Sequence, residues 1–93
     1  MSAGGQWAPD GALTLQTAGA VLVEARAAVG GGGRVDLSGV GEADSAAVAL
    51  LVDLQRRCRA SGGHLDITGM PEGLRALAEL YGVSELLGVG DAA

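Results

Sequence analysis

The sequence predicts an α/β domain in which helices pack on a mixed β-sheet of about four strands. Short segments of alternating apolar and polar residues take turns along the chain with segments of helical periodicity, and this order favours parallel strands joined by crossover helices. The length of 93 residues fits one domain. Because the chain has a single cysteine, its core must be held by packing and not by intrachain disulfide bonds.

The first third of the chain predicts two short strands and a helix. A strand around Trp7 is followed by the turn signal PDG and by a second strand in ALTLQ, residues 12–16, with which it is expected to pair. Thr17 is the expected N-cap of the helix. The helix ends at Gly30–Gly33, and its apolar positions recur with helical spacing at Ala18, Val21, Leu22, Ala25 and Val29.

The middle of the chain predicts strand, helix and strand. The strands are RVDLSG, residues 34–39, and HLDIT, residues 64–68, and the helix between them spans about 45–60. The expected core takes its side chains from both strands and from the helices that follow them: Val35, Leu37, Leu51, Leu54, Leu65, Ile67, Leu74 and Leu77.

The last part of the chain predicts a third helix and a short helical turn. Pro71 suits the first turn of the third helix, where its missing N–H has no partner to lose. Gly82 is expected to end that helix, and Ser84 to cap the turn SELLG. The buried face of the third helix is expected to consist of Leu74, Leu77, Ala78 and Tyr81.

The helix over 45–60 has two faces. At 100° per residue, Ala47, Val48, Leu51, Leu54 and Cys58 fall on the side of the core. The opposite side is small and apolar in its first half, where a solvated helix normally carries charges. This pattern favours a docking surface centred on Leu50, which comprises Ala46, Ala49, Leu50, Asp53 and Arg57, and Asp44 at the helix start is also expected to contact the partner.

The start of this helix allows two interpretations of Ser45. Asp44 or Ser45 caps the helix, because either side chain can accept from the free N–H groups of the first turn. In one interpretation Ser45 does no more than begin the helix. In the other it is a partner-binding or phosphorylatable site, since a helix N-terminus tolerates a phosphate. Glu42 and Asp44 would repel that phosphate, so its effect would fall mainly on a partner.

Charge and composition disfavour several classes of function. The net charge is −5 and the chain has no lysine, which argues against binding nucleic acid or inserting into anionic membranes. Arg56, Arg57 and Arg59 are interpreted as the solvated end of a helix. No cluster of His and Cys predicts a metal site, and the glycines of Gly30–Gly33 are not followed by the lysine of a phosphate-binding loop. We therefore expect no cofactor, no metal and no enzymatic activity. The N-terminus lacks the pattern of a signal peptide, so the expected location is the cytoplasm.

The segment RVDLSGVGEADSAAVALLVDLQRRCRASGGHLDITGM resembles the STAS family, named for sulfate transporters and anti-sigma factor antagonists. The signature is a strand, a loop ending in Asp-Ser or Asp-Thr, and a helix rich in small and aliphatic residues. The resemblance covers residues 7–87, which leaves 1–6 and 88–93 as flexible tails. It implies a sheet with helices on one side and no catalytic site, and it matches Ser45 to the Ser or Thr of the family.

Two branches of the family give two expected functions. ALAELYGVSELL, residues 76–87, and the early Trp7 are similar to MlaB, the small cytoplasmic subunit that binds the ATPase MlaF of the transporter maintaining outer-membrane lipid asymmetry. In that branch the resemblance implies that Ser45 and the helix start lie against the ATPase. The alternative is an anti-anti-sigma factor in which an anti-sigma kinase phosphorylates Ser45. Ala46 and Ala47 stand where the family usually has glycine, which disfavours the kinase.

Overall fold

The computed structural model describes residues 5–88 and has five strands and four helices. The fold class is confirmed. The elements are β1 (Gly5–Trp7), β2 (Gly11–Leu13), α1 (Leu15–Val29), β3 (Gly33–Asp36), β4 (Val40–Ala43), α2 (Ser45–Ala60), β5 (Leu65–Thr68), α3 (Glu72–Leu80) and α4 (Ser84–Leu87). The sequence did not predict β4, because its four residues, VGEA, are too few and contain too little apolar surface to show the alternation of a strand. Gly5 and Gln6 belong to β1, whereas residues 1–6 were expected to be a tail; residues 1–4 and 89–93 of the expected tails lie outside the described residues.

Among the described strands all pairings are parallel and they form two small sheets, in place of the single mixed sheet of about four strands that was expected. The larger sheet has the order β1-β3-β5, and the smaller one pairs β2 with β4. The expected pairing of the first two strands is wrong: Trp7 lies opposite Val35 of β3. The chain does not fold back at Pro9. The segment from β1 to β2 runs in the same direction as the segment from β3 to β4, so the β1–β3 pair is followed by the β2–β4 pair. Between the two pairs the Gly11 N–H donates to the Gly39 carbonyl at 3.1 Å.

The three-stranded sheet has an apolar face and a polar face. Trp7, Val35 and Ile67 stand in one cross-strand row and are buried. The neighbouring row of Gln6, Arg34 and Asp66 is exposed, and Arg34 Nε lies 3.9 Å from Asp66 Oδ2. The helices therefore cover one side of the sheet, as expected for this class of fold. Of the eight residues predicted to form the core, all are buried except the half-buried Leu77.

The first helix begins earlier than predicted. Thr14 is its N-cap, and Thr17 is the third residue of its first turn. The Thr17 hydroxyl accepts the Thr14 N–H at 2.9 Å, which is the reciprocal contact of a capping box. The strand predicted over 12–16 consequently ends at Leu13, and Leu15 opens the helix with 76% of its surface exposed. The alternation of apolar and polar residues in ALTLQ therefore did not correspond to one strand, because its first two residues end β2 and its last two begin α1.

The glycine run after α1 has a structural role. Gly33 has φ of +144°, and a Cβ at that position would overlap the backbone of Gly5 on the neighbouring strand. A side chain is therefore excluded both by the backbone conformation and by the close approach of β1.

The third helix differs from the prediction at both ends. Pro71 is the N-cap, with extended backbone angles, and the helix begins at Glu72. Tyr81 follows the last helical residue and is 52% exposed, so its predicted place in the buried face is wrong. Gly82 adopts the left-handed conformation just beyond it, with φ of +74°. In α4 the N-cap is Val83, and Ser84 is the first helical residue.

Gln55 is a fully buried polar side chain in the middle of α2. Its amide accepts the Leu65 N–H at 2.9 Å and donates to the Leu65 carbonyl at 3.2 Å, and it also donates to the Leu86 carbonyl at 3.1 Å. One side chain thus fixes β5 and the C-terminal turn to α2, and both ends of its amide are satisfied.

Candidate functional site

The N-termini of α1 and α2 meet at the Asp44 side chain. One carboxylate oxygen accepts the Ala46 N–H of α2 at 2.9 Å, and the other accepts the Leu15 N–H of α1 at 3.2 Å. Both helices follow the carboxyl ends of the paired strands β2 and β4, which brings their first turns together. Asp44 is therefore the cap of α2, and it also supplies an acceptor to a second helix, which the sequence alone did not predict.

Ser45 is the first helical residue of α2 and is exposed. Of the two predicted caps Asp44 is the one observed, so the hydroxyl of Ser45 is not engaged in holding the helix start. One turn later on the same outward side lies Ala49, which is also exposed. The surface around the hydroxyl thus combines a helix start with a small apolar side chain.

An apolar groove of about 380 Å³ lies beside Ser45, between α1 and α2. Its lining residues have the same spacing on both helices, so each turn of one helix faces a turn of the other. They are Leu15, Ala18, Gly19 and Leu22 of α1 and Ala46, Ala49, Leu50 and Asp53 of α2. Four of the residues predicted for a docking surface are thereby brought together: Ala46, Ala49, Leu50 and Asp53.

Leu50 has a different role from the one predicted. It is only 4% exposed and belongs to the hydrophobic core, so it forms the floor of the groove and not the centre of an exposed face. The reason is that α1 packs against this flank of α2, which helical periodicity within α2 could not show. The apolar side chain that stands at the open surface is Leu15. The spacing of Leu15, Ala18 and Leu22 is helical and could have placed Leu15 on the same face of α1. Leu15 was instead predicted to belong to the strand over 12–16.

A charged cluster of three side chains closes the far end of the groove. Asp53 Oδ2 lies 2.8 Å from Arg57 Nε on the next turn and 3.4 Å from an Arg26 guanidinium nitrogen of α1. The hydrogen bond from Arg57 is the main reason why the pKa of Asp53 is lowered, with a further contribution from Arg26. Asp53 and Arg57 were predicted for this surface, whereas Arg26 was missed although it follows Leu22 by one helical turn.

The remaining candidates for chemistry are structural or isolated. Cys58 is buried, its thiol donates to the Val29 carbonyl at 3.0 Å, and burial raises its pKa, so the predicted core role is confirmed. Within residues 5–88, His64 and the acidic side chains form no group of three that could hold a metal ion. None of the helices in the described part of the chain is long and apolar enough to cross a membrane.

A comparison with protein families finds a match over most of the chain. The family described as "Mlab, STAS domain" matches residues 9–88, which include every element from β2 to α4. A comparison with curated proteins finds no match. Because the family match covers most of the chain, the protein belongs to the STAS domain family, which suggests a protein-interaction module or one like an anti-sigma factor antagonist.

Proposed function

We propose that this protein is a non-enzymatic cytoplasmic adaptor that binds the ATPase subunit of an ABC transporter for phospholipid trafficking. The transporter is of the kind that maintains outer-membrane lipid asymmetry, and the adaptor supports the assembly or activity of its MlaF-like ATPase. The observation that carries the proposal is the apolar groove between α1 and α2, whose lining residue Ala46 directly follows the exposed Ser45 in the chain. The family description, which includes the name Mlab, supports the choice of partner.

The physical basis is the contrast between this surface and the opposite side of the domain. The outer face of the sheet carries the polar row of Gln6, Arg34 and Asp66 and suits solvent. The helical side leaves Leu15 largely exposed next to a groove with an apolar floor. Covering such a surface with a partner releases water from apolar area and favours association.

The second candidate is an anti-anti-sigma factor with Ser45 as its phosphorylation switch. It is favoured by the exposure of the Ser45 side chain at the first position of α2, where a kinase can reach it. The Asp44 carboxylate already accepts from the first turns of both helices. A phosphate on Ser45 would therefore meet a negative neighbour and would act by repelling a partner.

Binding of three variants to the purified ATPase tests the proposal by calorimetry. Ser45→Glu should fold normally but lose binding, because a partner packed on the helix start would bury a carboxylate without a counter-charge, at a cost on the order of several kcal/mol. Ser45→Ala should bind with a smaller defect. Gln6→Glu is the matched control: it adds the same charge on the exposed face of the sheet and should bind like wild type.

Circular dichroism confirms that each variant is folded before binding is compared. Equal affinities for the wild type and both Ser45 variants would overturn the proposed interface. Phosphorylation of Ser45 by an anti-sigma kinase from the same organism, detected by mass spectrometry, together with no affinity for the ATPase, would select the second candidate.

A further inference from the structure

The groove has a direction, because α1 and α2 run parallel. Both helices begin at Asp44, and further along Arg26 of α1 meets Asp53 of α2. The positive ends of both helix macrodipoles therefore lie at the same end of the groove. Any helix that enters the groove is subject to the summed field of two aligned dipoles.

The formal charges at the two ends are opposite. At the end where the helices begin lies the half-buried carboxylate of Asp44, which touches the first turns of both helices. At the far end two guanidinium groups, Arg26 and Arg57, share the single carboxylate of Asp53. The side chains of Arg26 and Arg57 are 41% and 50% exposed, so both can make further ion pairs.

We propose that the groove binds one amphipathic helix of the partner, antiparallel to α1 and α2. The acidic first turn of the bound helix lies against Arg26 and Arg57, and its basic last turn lies against Asp44. This is the usual charge distribution of a helix, with acids in the first turn and bases in the last. The inference rests on the proposed function only in that the ATPase supplies the helix.

The size of the groove fits one helix of modest length. From Leu15 to Leu22 the lining extends over eight residues, whose seven steps along the helix correspond to about 10 Å or two turns. A bound helix would therefore contribute an apolar stripe of three or four residues with spacing i, i+3 or i+4, and i+7. Gly19 and Ala49, which are exposed and small, leave room for these side chains on either side.

A helix fits this surface better than the other possible occupants. A second copy of the chain would present its own groove, and two facing concave surfaces leave space between them that a single ridge fills. An anionic lipid surface or nucleic acid is disfavoured by the net charge of −5 and by the acidic end of the groove.

Two synthetic peptides test the orientation. Each has 20 residues, an alanine-rich helical frame and the same four-leucine stripe; one has Glu in the first turn and Lys in the last, and the other has the two sets exchanged. Fluorescence anisotropy measures the Kd of each. The first peptide should bind about tenfold more tightly, since exposed ion pairs at both ends together give a difference of this order. In Arg26→Glu this preference should shrink or reverse.

Two glycine variants test the location. Gly19→Leu fills the groove, and a Cβ at Gly19 meets no atom within 4 Å, so the fold has room for it. Gly73→Leu is the matched control on α3, where a Cβ also meets no atom within 4 Å. Gly19→Leu should weaken binding of the first peptide and of the ATPase at least tenfold, and Gly73→Leu should leave both unchanged.

The outcomes separate this inference from the proposed function. Full binding of the ATPase by Gly19→Leu would overturn the helix in the groove while leaving the adaptor role intact. Equal affinity for the two peptides would overturn the antiparallel orientation. Dimerisation of the wild type that Gly19→Leu abolishes, seen by sedimentation velocity, would assign the groove to a second copy and overturn the inference. Peptide binding without any ATPase binding would support the groove and overturn the proposed function.

Discussion

Replacement of Asp44 should destabilise two helices at once. In Asp44→Ala the Ala46 N–H of α2 and the Leu15 N–H of α1 both lose an acceptor. Loss of an N-cap costs about 1 kcal/mol, and loss of the second hydrogen bond, which is exposed but has a charged acceptor, costs roughly another 1 kcal/mol. The free energy of unfolding should therefore fall by about 2 kcal/mol, which for a domain of this size lowers Tm by roughly 8–16 °C.

Two further variants separate the contribution of the α2 cap from that of the hydrogen bond to α1. Asp44→Asn retains one carbonyl oxygen for Ala46, but its amide nitrogen cannot accept from the Leu15 N–H, so it should lose about 1 kcal/mol. Ser45→Ala should lose less than about 0.5 kcal/mol, because Ser45 is exposed and is not the cap. Urea unfolding followed by circular dichroism measures all three. If Asp44→Ala costs no more than Ser45→Ala, the shared cap does not contribute to stability; if Asp44→Asn matches wild type, the bond to α1 is unimportant.

Three other perturbations have definite expected results. Leu50→Glu should unfold the domain because it buries a carboxylate in the core, whereas Ala49→Glu, at an exposed position, should remain folded. Circular dichroism distinguishes the folded from the unfolded variant. A folded Leu50→Glu would contradict the burial of Leu50 between α1 and α2. In the folded protein the pKa of Asp53 is lowered, so the carboxylate stabilises the fold above the ordinary aspartate pKa of 3.8, and this contribution is lost as the pH falls through the lower folded pKa. Asp53→Asn should therefore make Tm less sensitive to acid in that range. If the dependence of Tm on pH is the same in Asp53→Asn as in the wild type, the ion pairs do not contribute to stability. Gln55→Leu should cost about 2–4 kcal/mol by leaving buried backbone groups unpaired and should speed hydrogen exchange at Leu65; unchanged exchange would show that the amide is not the partner.

The sequence predicted the elements whose patterns are local. The helix over 45–60 was placed correctly because its core residues recur every three or four positions and SGG ends it. The strands predicted at 34–39 and 64–68 were recognised from alternation. In the structure the first begins at Gly33 and already ends at Asp36, and the second begins one residue late, at Leu65. For the same reason the buried side of α2, including Cys58, could be read from its own sequence.

Features that depend on a neighbouring element could not be predicted in this way. The burial of Leu50 results from α1, and the ion pair of Arg26 with Asp53 joins residues that are 27 positions apart. The second acceptor role of Asp44 requires the parallel pairing of β2 with β4, and the latter strand was missed. The candidate site was therefore predicted in its α2 half and missed in its α1 half.

The contact between Gln55 and β5 has a consequence for solubility. Among the described strands β5 has a partner on one side only, and its edge is where another chain could add a strand. The His64 and Thr68 carbonyls accept the Gly33 and Leu37 N–H groups of the neighbouring strand segment. Because successive peptide groups of a strand point to opposite sides, the Leu65 N–H and carbonyl face away from that neighbour. The Gln55 amide occupies both and takes the place of a further strand at this point. At Leu65 a side chain from the core thus blocks the edge of β5 against pairing with a strand of another molecule. Such pairing is favoured in concentrated solutions of a small domain.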